Sequence, residues 1–211
     1  MSEQTLNAVV TLRNEVSPWL MILQVVPDGA LTPRLFNIKI GDRIWLSQKP
    51  AGKFTYDDSQ VPKGANLVLI ATGSGLGPFM SMLSTHLKIQ AQRRIALIHG
   101  VRHSWDLGYR SILMAMEHLR TNFTYLPVVS RTEEEPVPWK GATGHVQDVW
   151  KNGLVEKAWG SRPGPDNTHV FMCGSPHMSE SMLALLAQEG FKVDTKKEPG
   201  QIHVEKYWQG T

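Results

Sequence analysis

The chain has a single cysteine, Cys173, among its 211 residues. That excludes an internal disulfide framework and any Cys-rich metal site, including a [2Fe–2S] centre held by four thiolates of this chain. No Lys/Arg-rich block occurs. The net charge of +3 and pI of about 9.0 are too mild to argue for nucleic acid, although they suit an acidic protein partner. No apolar run reaches membrane-spanning length, and the opening MSEQTLN lacks a signal-peptide pattern. The expectation is a soluble cytoplasmic protein with no membrane partner. Repeats and low-complexity tracts are also lacking. The eight histidines do not amount to a metal site. No H-E-x-x-H is present, His99 and His103 lie across a strand end and a loop, and His86, His118 and His169 have no acidic or sulfur partner at ligand spacing.

The most informative stretch is LVLIATGSGLGPFM, Leu67 to Met80. Its apolar start reads as a strand buried on both faces. Gly73, Gly75 and Gly77 follow at alternate positions, and Pro78 is expected to open an amphipathic helix. A helix start with free N–H groups attracts phosphate. The spacing is G-x-G-x-G rather than the G-x-G-x-x-G dinucleotide fingerprint, so the motif is weak on its own.

From Asn66 onward, strand and helix patterns alternate. Strands are predicted at Leu67–Ala71, Ile95–His99, Tyr125–Val129, Thr168–Cys173 and Ile202–Lys206, with Pro127 interrupting the third. Helices are predicted near Phe79–Gln90, Tyr109–Leu119, Val146–Trp150 and Met178–Gln188, the last closed by Gly190. This is the pattern of an α/β domain: a parallel five-stranded sheet with helices on both faces, entered at the carboxyl ends of its strands. Before Asn66 the chain reads as antiparallel β, at Ala8–Leu12, Trp19–Val26 and Arg43–Leu46, with a turn at Pro27–Gly29. The linker-like DDSQVPKG places the boundary between a domain at 1–64 and one at 65–211.

Five ordered segments, ATGSGLGP (Ala71–Pro78), GVRHSWDLGY (Gly100–Tyr109), VVSR (Val128–Arg131), CGSPHM (Cys173–Met178) and HVEKYW (His203–Trp208), resemble the bacterial ferredoxin (flavodoxin)–NADP reductase family. The resemblance runs from about Gly29 to Trp208. It implies FAD between a β-barrel domain and the α/β domain, NADP(H) as hydride donor, and ferredoxin or flavodoxin as the electron-transfer partner. NAD-selective sites place an acidic residue after the second strand, where it holds the ribose hydroxyl. Here that neighbourhood reads HGVRH, and Arg102 suits a 2′-phosphate, with Arg131, after Ser130, as a second fork. The resemblance further implies pyrophosphate at Gly73, Gly75 and Gly77, and Thr72 near the nicotinamide–flavin junction. It puts Cys173 on the nicotinamide site and Gly174 and Ser175 against the cofactor, with Pro176 starting the next helix. Tyr207 or Trp208 would stack on the flavin ring, and Glu205 would be the carboxylate beside it. The expected catalytic residues are thus Cys173, Glu205 and Tyr207.

The chain also departs from the family. The flavin-reading R-x-Y-[ST] motif is absent between Met1 and Gly64, and that segment is shorter than a complete barrel, so it reads as a truncated FAD-binding-like domain. Ala30, Leu31 and Thr32, in PDGALTPRL, resemble the helix start that contacts the FAD pyrophosphate, and KPAGKFT resembles the last barrel strand. Where the family has T-G-R, this chain has Thr143-Gly144-His145. The expected function is an oxidoreductase moving hydride between NADPH and FAD and single electrons to or from ferredoxin or flavodoxin. The alternatives are an NADP-binding module without flavin or redox activity, and an NADH-using flavin reductase or oxygenase electron-transfer component, the latter opposed by Arg102 and Arg131.

Overall fold

The computed structural model describes residues 8–9, 15–17, 20–21, 37–44, 54–55, 61–87 and 93–205. The chain divides into two compact units, 1–53 and 54–211. In the first, strand β1 (Ala8–Val9) pairs antiparallel with β4 (Arg43–Ile44), and β2 (Glu15–Ser17) pairs antiparallel with β3 (Leu20–Met21). The rest of the β-like segments expected there lie outside the described residues.

In the second unit the apolar runs become strands β5 (Asn66–Thr72), β6 (Ile95–Val101), β7 (Phe123–Val129), β9 (Thr168–Cys173) and β10 (Ile202–Val204). The sheet holds six strands rather than the five expected. The extra one, β8 (Ala142–Thr143), pairs with Val128 and Val129. At two residues it is too short to carry any hydrophobic period. Every pairing is parallel, in the order β10-β9-β5-β6-β7-β8. Pro127 is accommodated within β7 because the β8 ladder covers only the residues after it, leaving that side of the strand an edge.

Alternate residues of the strands build two cores. Leu67, Leu69, Leu97, Tyr125 and Phe171 face α1 (Leu76–His86) and α2 (Arg110–Leu119) through Phe79, Leu83 and Leu113. Phe54 and Val61, upstream of the expected boundary, belong to this layer, with Phe54 set edge-on to Phe79 and Phe171 at 5.9 Å. Val68, Ile70, Ile98, Val170 and Met172 face the opposite helices, α3 (Val146–Lys151), α4 (Leu154–Trp159) and α5 (Pro176–Gln188). Buried runs of this kind are what a doubly covered parallel sheet requires. From β5 the chain moves outward through β6 to β7 and β8, then returns to lay β9 on the other side of β5. The order therefore reverses between β5 and β9, the place where α/β sheets open a crevice at their carboxyl ends.

Candidate functional site

The glycine loop lies at that reversal. The helix does not wait for Pro78, as the sequence suggested. Gly73–Gly75 form a 3₁₀ turn that winds directly into α1, which starts at Leu76, with Gly77 inside its first turn. Pro78 is tolerated because the first N–H groups of a helix have no intrahelical acceptor. Ala71 stands beside Cys173 in the ladder, so the turn after β5 meets the turn after β9. A Cβ at Gly75 would strike the Cys173 carbonyl and come within 2.8 Å of the Gly174 nitrogen. Gly174 holds a φ of +148° and closes on Thr72, where a Cβ would collide with Oγ1 and stand 2.9 Å from the Thr72 nitrogen. Only glycine satisfies both the dihedral and the contact. The Ser175 N–H donates to Thr72 Oγ1 at 3.0 Å, and Ser175 Oγ in turn caps α5 by accepting from Met178 N–H at 3.2 Å. Pro176 is the first residue of that helix. Thr72, Gly73, Gly75, Cys173, Gly174, Ser175 and Pro176 are thereby gathered at one strand-end rim.

The same edge carries the arginines. Ser130 N–H donates to Val101 O at 3.0 Å and Arg131 N–H to Arg102 O at 2.9 Å, so the chain leaving β7 runs beside the chain leaving β6. Arg102 is exposed and has no ion-pair partner among the described residues. Arg131 Nη1 lies 3.3 Å from Glu134 Oε1. Gly144 N–H donates to Val129 O at 3.0 Å, which brings Thr143-Gly144-His145 to the rim just where Arg131 departs. His145 there starts α3, its own N–H donating to Asp148 Oδ2 at 2.8 Å.

Two acidic contacts were not foreseen. His103 Nε2 is 2.7 Å from Glu134 Oε2, and its Nδ1 is 3.3 Å from Asp106 Oδ2. The His103 ring stacks on Trp105 at 4.3 Å. The hydrogen bond from His103, ahead of the charge of Arg131, holds the Glu134 carboxyl below the usual carboxylate range. Glu135 clamps the opposite turn, accepting from the Ser104 N–H at 2.6 Å and from its hydroxyl at 2.5 Å. The run Glu133–Glu135, which follows Arg131 and Thr132, was the available sequence signal.

At the other end of the rim Cys173 is fully buried, and its thiol donates to Glu205 Oε2 at 3.4 Å. Glu205 is held there because its N–H donates to Met172 O at 3.0 Å, extending the β9–β10 ladder. Tyr207, Trp208, Ala30, Leu31 and Thr32 lie outside the described residues. Among the described residues, no helix is long and apolar enough to cross a membrane.

Comparison with known proteins agrees with this architecture. Residues 69–183 match the Oxidoreductase NAD-binding domain family. The chain is 31% identical over 191 residues to the ferredoxin–NADP reductase of Pseudomonas aeruginosa, covering 86% of this chain and 71% of that protein. It is 29% identical over 188 residues to the flavodoxin/ferredoxin–NADP reductase of Escherichia coli, covering 88% and 73% respectively. A crystal structure of a ferredoxin NADP+ reductase from Neisseria gonorrhoeae with bound FAD and NADP superposes with a TM-score of 0.72 at 27% identity. That match covers 86% of this chain and 71% of the other. The chain belongs to the ferredoxin (flavodoxin)–NADP reductase family.

Proposed function

We propose that this protein is an NADP(H)-dependent flavin oxidoreductase that exchanges hydride between NADPH and FAD and single electrons with ferredoxin or flavodoxin. The observation that carries this reading is the backbone cradle at the strand-order reversal, where Gly75 and Gly174 admit no side chain. Those two glycines let the turns after β5 and β9 pack main chain on main chain, and Gly73, where a Cβ would meet nothing within 4 Å, leaves the approach to the start of α1 open to a pyrophosphate. Arg102 and Arg131, on adjoining strand-end turns, supply guanidinium forks for a 2′-phosphate. Cys173 and Glu205 form one thiol–carboxylate pair at the far end of the rim, the end that family likeness assigns to the nicotinamide. FAD, when bound, takes electrons in pairs and releases them singly. For this chain its contacts are assigned by family likeness to Ala30–Thr32, Tyr207 and Trp208. An acidic electron-transfer protein suits the net charge of +3.

The test is a visible spectrum of the purified chain, before and after added FAD, followed by dye reduction with NADPH. A yellow protein that reduces dye with NADPH, and only weakly with NADH, is expected. A colourless protein that takes up no FAD yet binds 2′,5′-ADP selects the alternative, a nucleotide-binding module. Binding neither would refute both.

A further inference from the structure

Arg131 does not present a free guanidinium. Glu134 reaches it across one helical turn with a single contact of 3.3 Å, and the two side chains are 47% and 49% exposed. A one-toothed pair at that exposure is among the weakest ion pairs in proteins. The second oxygen of the same carboxylate is held more closely, 2.7 Å from His103 Nε2. His103 is anchored in turn by Asp106 at 3.3 Å and by stacking on Trp105. Glu134 therefore has a firm seat on His103 and a loose grip on Arg131, and it can release the arginine without losing its place.

We propose that Glu134 is a specificity-determining residue, its carboxylate holding the Arg131 guanidinium that a 2′-phosphate would take and so limiting the preference for 2′-phosphorylated dinucleotides. The proposal rests on the reading of Arg131 as a 2′-phosphate ligand. A phosphate dianion arriving at Arg131 meets an ionised carboxylate within ion-pair distance, and like charges so placed repel. An unphosphorylated ribose brings no such charge and leaves the Arg131–Glu134 contact intact. The effect is specific to one of three consecutive acids. Glu135 is committed to Ser104, and Glu133 is exposed, with no side-chain hydrogen bond or ion pair among the described residues.

The experiment is calorimetric titration of the full chain with 2′,5′-ADP and with 5′-AMP, in Glu134→Gln, Glu133→Gln and Arg131→Ala. Glu134→Gln keeps the side-chain shape and an acceptor for His103, and should tighten 2′,5′-ADP roughly two- to five-fold with 5′-AMP unchanged. Glu133→Gln removes the same unit of charge without the contact and should give less than half that gain. Equal gains in the two variants, an equal gain for 5′-AMP, or weaker 2′,5′-ADP binding in Glu134→Gln would each overturn the proposal. Arg131→Ala separates the two readings. Equal loss of both ligands removes the 2′-phosphate seat itself, whereas selective loss of 2′,5′-ADP beside an inert Glu134→Gln rejects only the role of Glu134.

Discussion

Single residues decide whether the rim of the sheet can receive a ligand at all, and Gly174 shows why. Its φ of +148° and its closeness to Thr72 forbid any Cβ, so Gly174→Ala must either rotate the backbone or push the β9 turn off β5. We expect a loss of about 2–3 kcal/mol in urea denaturation together with weakened dinucleotide binding. Gly164→Ala, where a Cβ meets nothing within 4 Å, should stay within about 0.5 kcal/mol. Equal losses in the two variants would show that the contact between the turns carries no strain. The sequence displayed much of this rim, because glycines, Cys173 and the arginines follow buried strands. Glu134 and His103 escaped notice for a physical reason. Their roles come from a contact between turns that follow different strands, and no local period records it.

At the level of elements, buried strands announce themselves by composition, and β5, β6 and β9 were legible for that reason. Helix α4 was not, since LVEKAW spans six residues and shows too few turns for an apolar stripe. Gly153 and Gly160, which bracket it, were the only local sign. Strands also fix the protonation of the histidines they bury. His99, on β6, is 1% exposed, and burial drives its pKa down from 6.5 to about 4. Its Nδ1 lies 3.2 Å from the Tyr125 hydroxyl on β7, whose proton burial holds firmly in place. At the β9–β10 edge, His169 and His203 stack with Nδ1 and Nε2 3.0 Å apart. Burial lowers both, His169 to about 4. A histidine whose folded pKa lies below its unfolded value binds fewer protons when folded. Stability is therefore complete above about pH 6.5 and declines as pH falls from 6.5 towards 4. His99 alone should account for roughly 2–3 kcal/mol of that decline. In urea titrations at pH 7.5 and 4.5, His99→Gln, which retains an acceptor for Tyr125, should reduce the acid-side loss by about this amount. Identical losses in wild type and variant would show that His99 does not titrate on unfolding.

For the molecule as a whole, the decisive feature is that every described residue of the two main cores lies within 54–211. The family likeness assigned the NADP grip to this half and drew attention to a first half too short for a full barrel. Thr72, the glycine turns, Arg102, Arg131 and Cys173 all belong to the second compact unit. A sheet covered by helices on both faces has no exposed apolar face that needs a covering domain, and a unit with its own core is expected to fold alone. A fragment beginning at Phe54 should unfold in one cooperative transition and bind 2′,5′-ADP within about threefold of the full chain, since no residue assigned to the phosphates has been removed. Phe54 must be kept, because its ring packs on Phe79 and Phe171, and a fragment starting at Ala65 should be less stable by about 2 kcal/mol or more for loss of Phe54 and Val61 from the core. The fragment should take up no FAD, since Ala30–Thr32 are missing. If instead it loses 2′,5′-ADP by tenfold or more while still folding cooperatively, residues 1–53 contribute directly to the nucleotide site, and the phosphate grip is not confined to the rim of the parallel sheet.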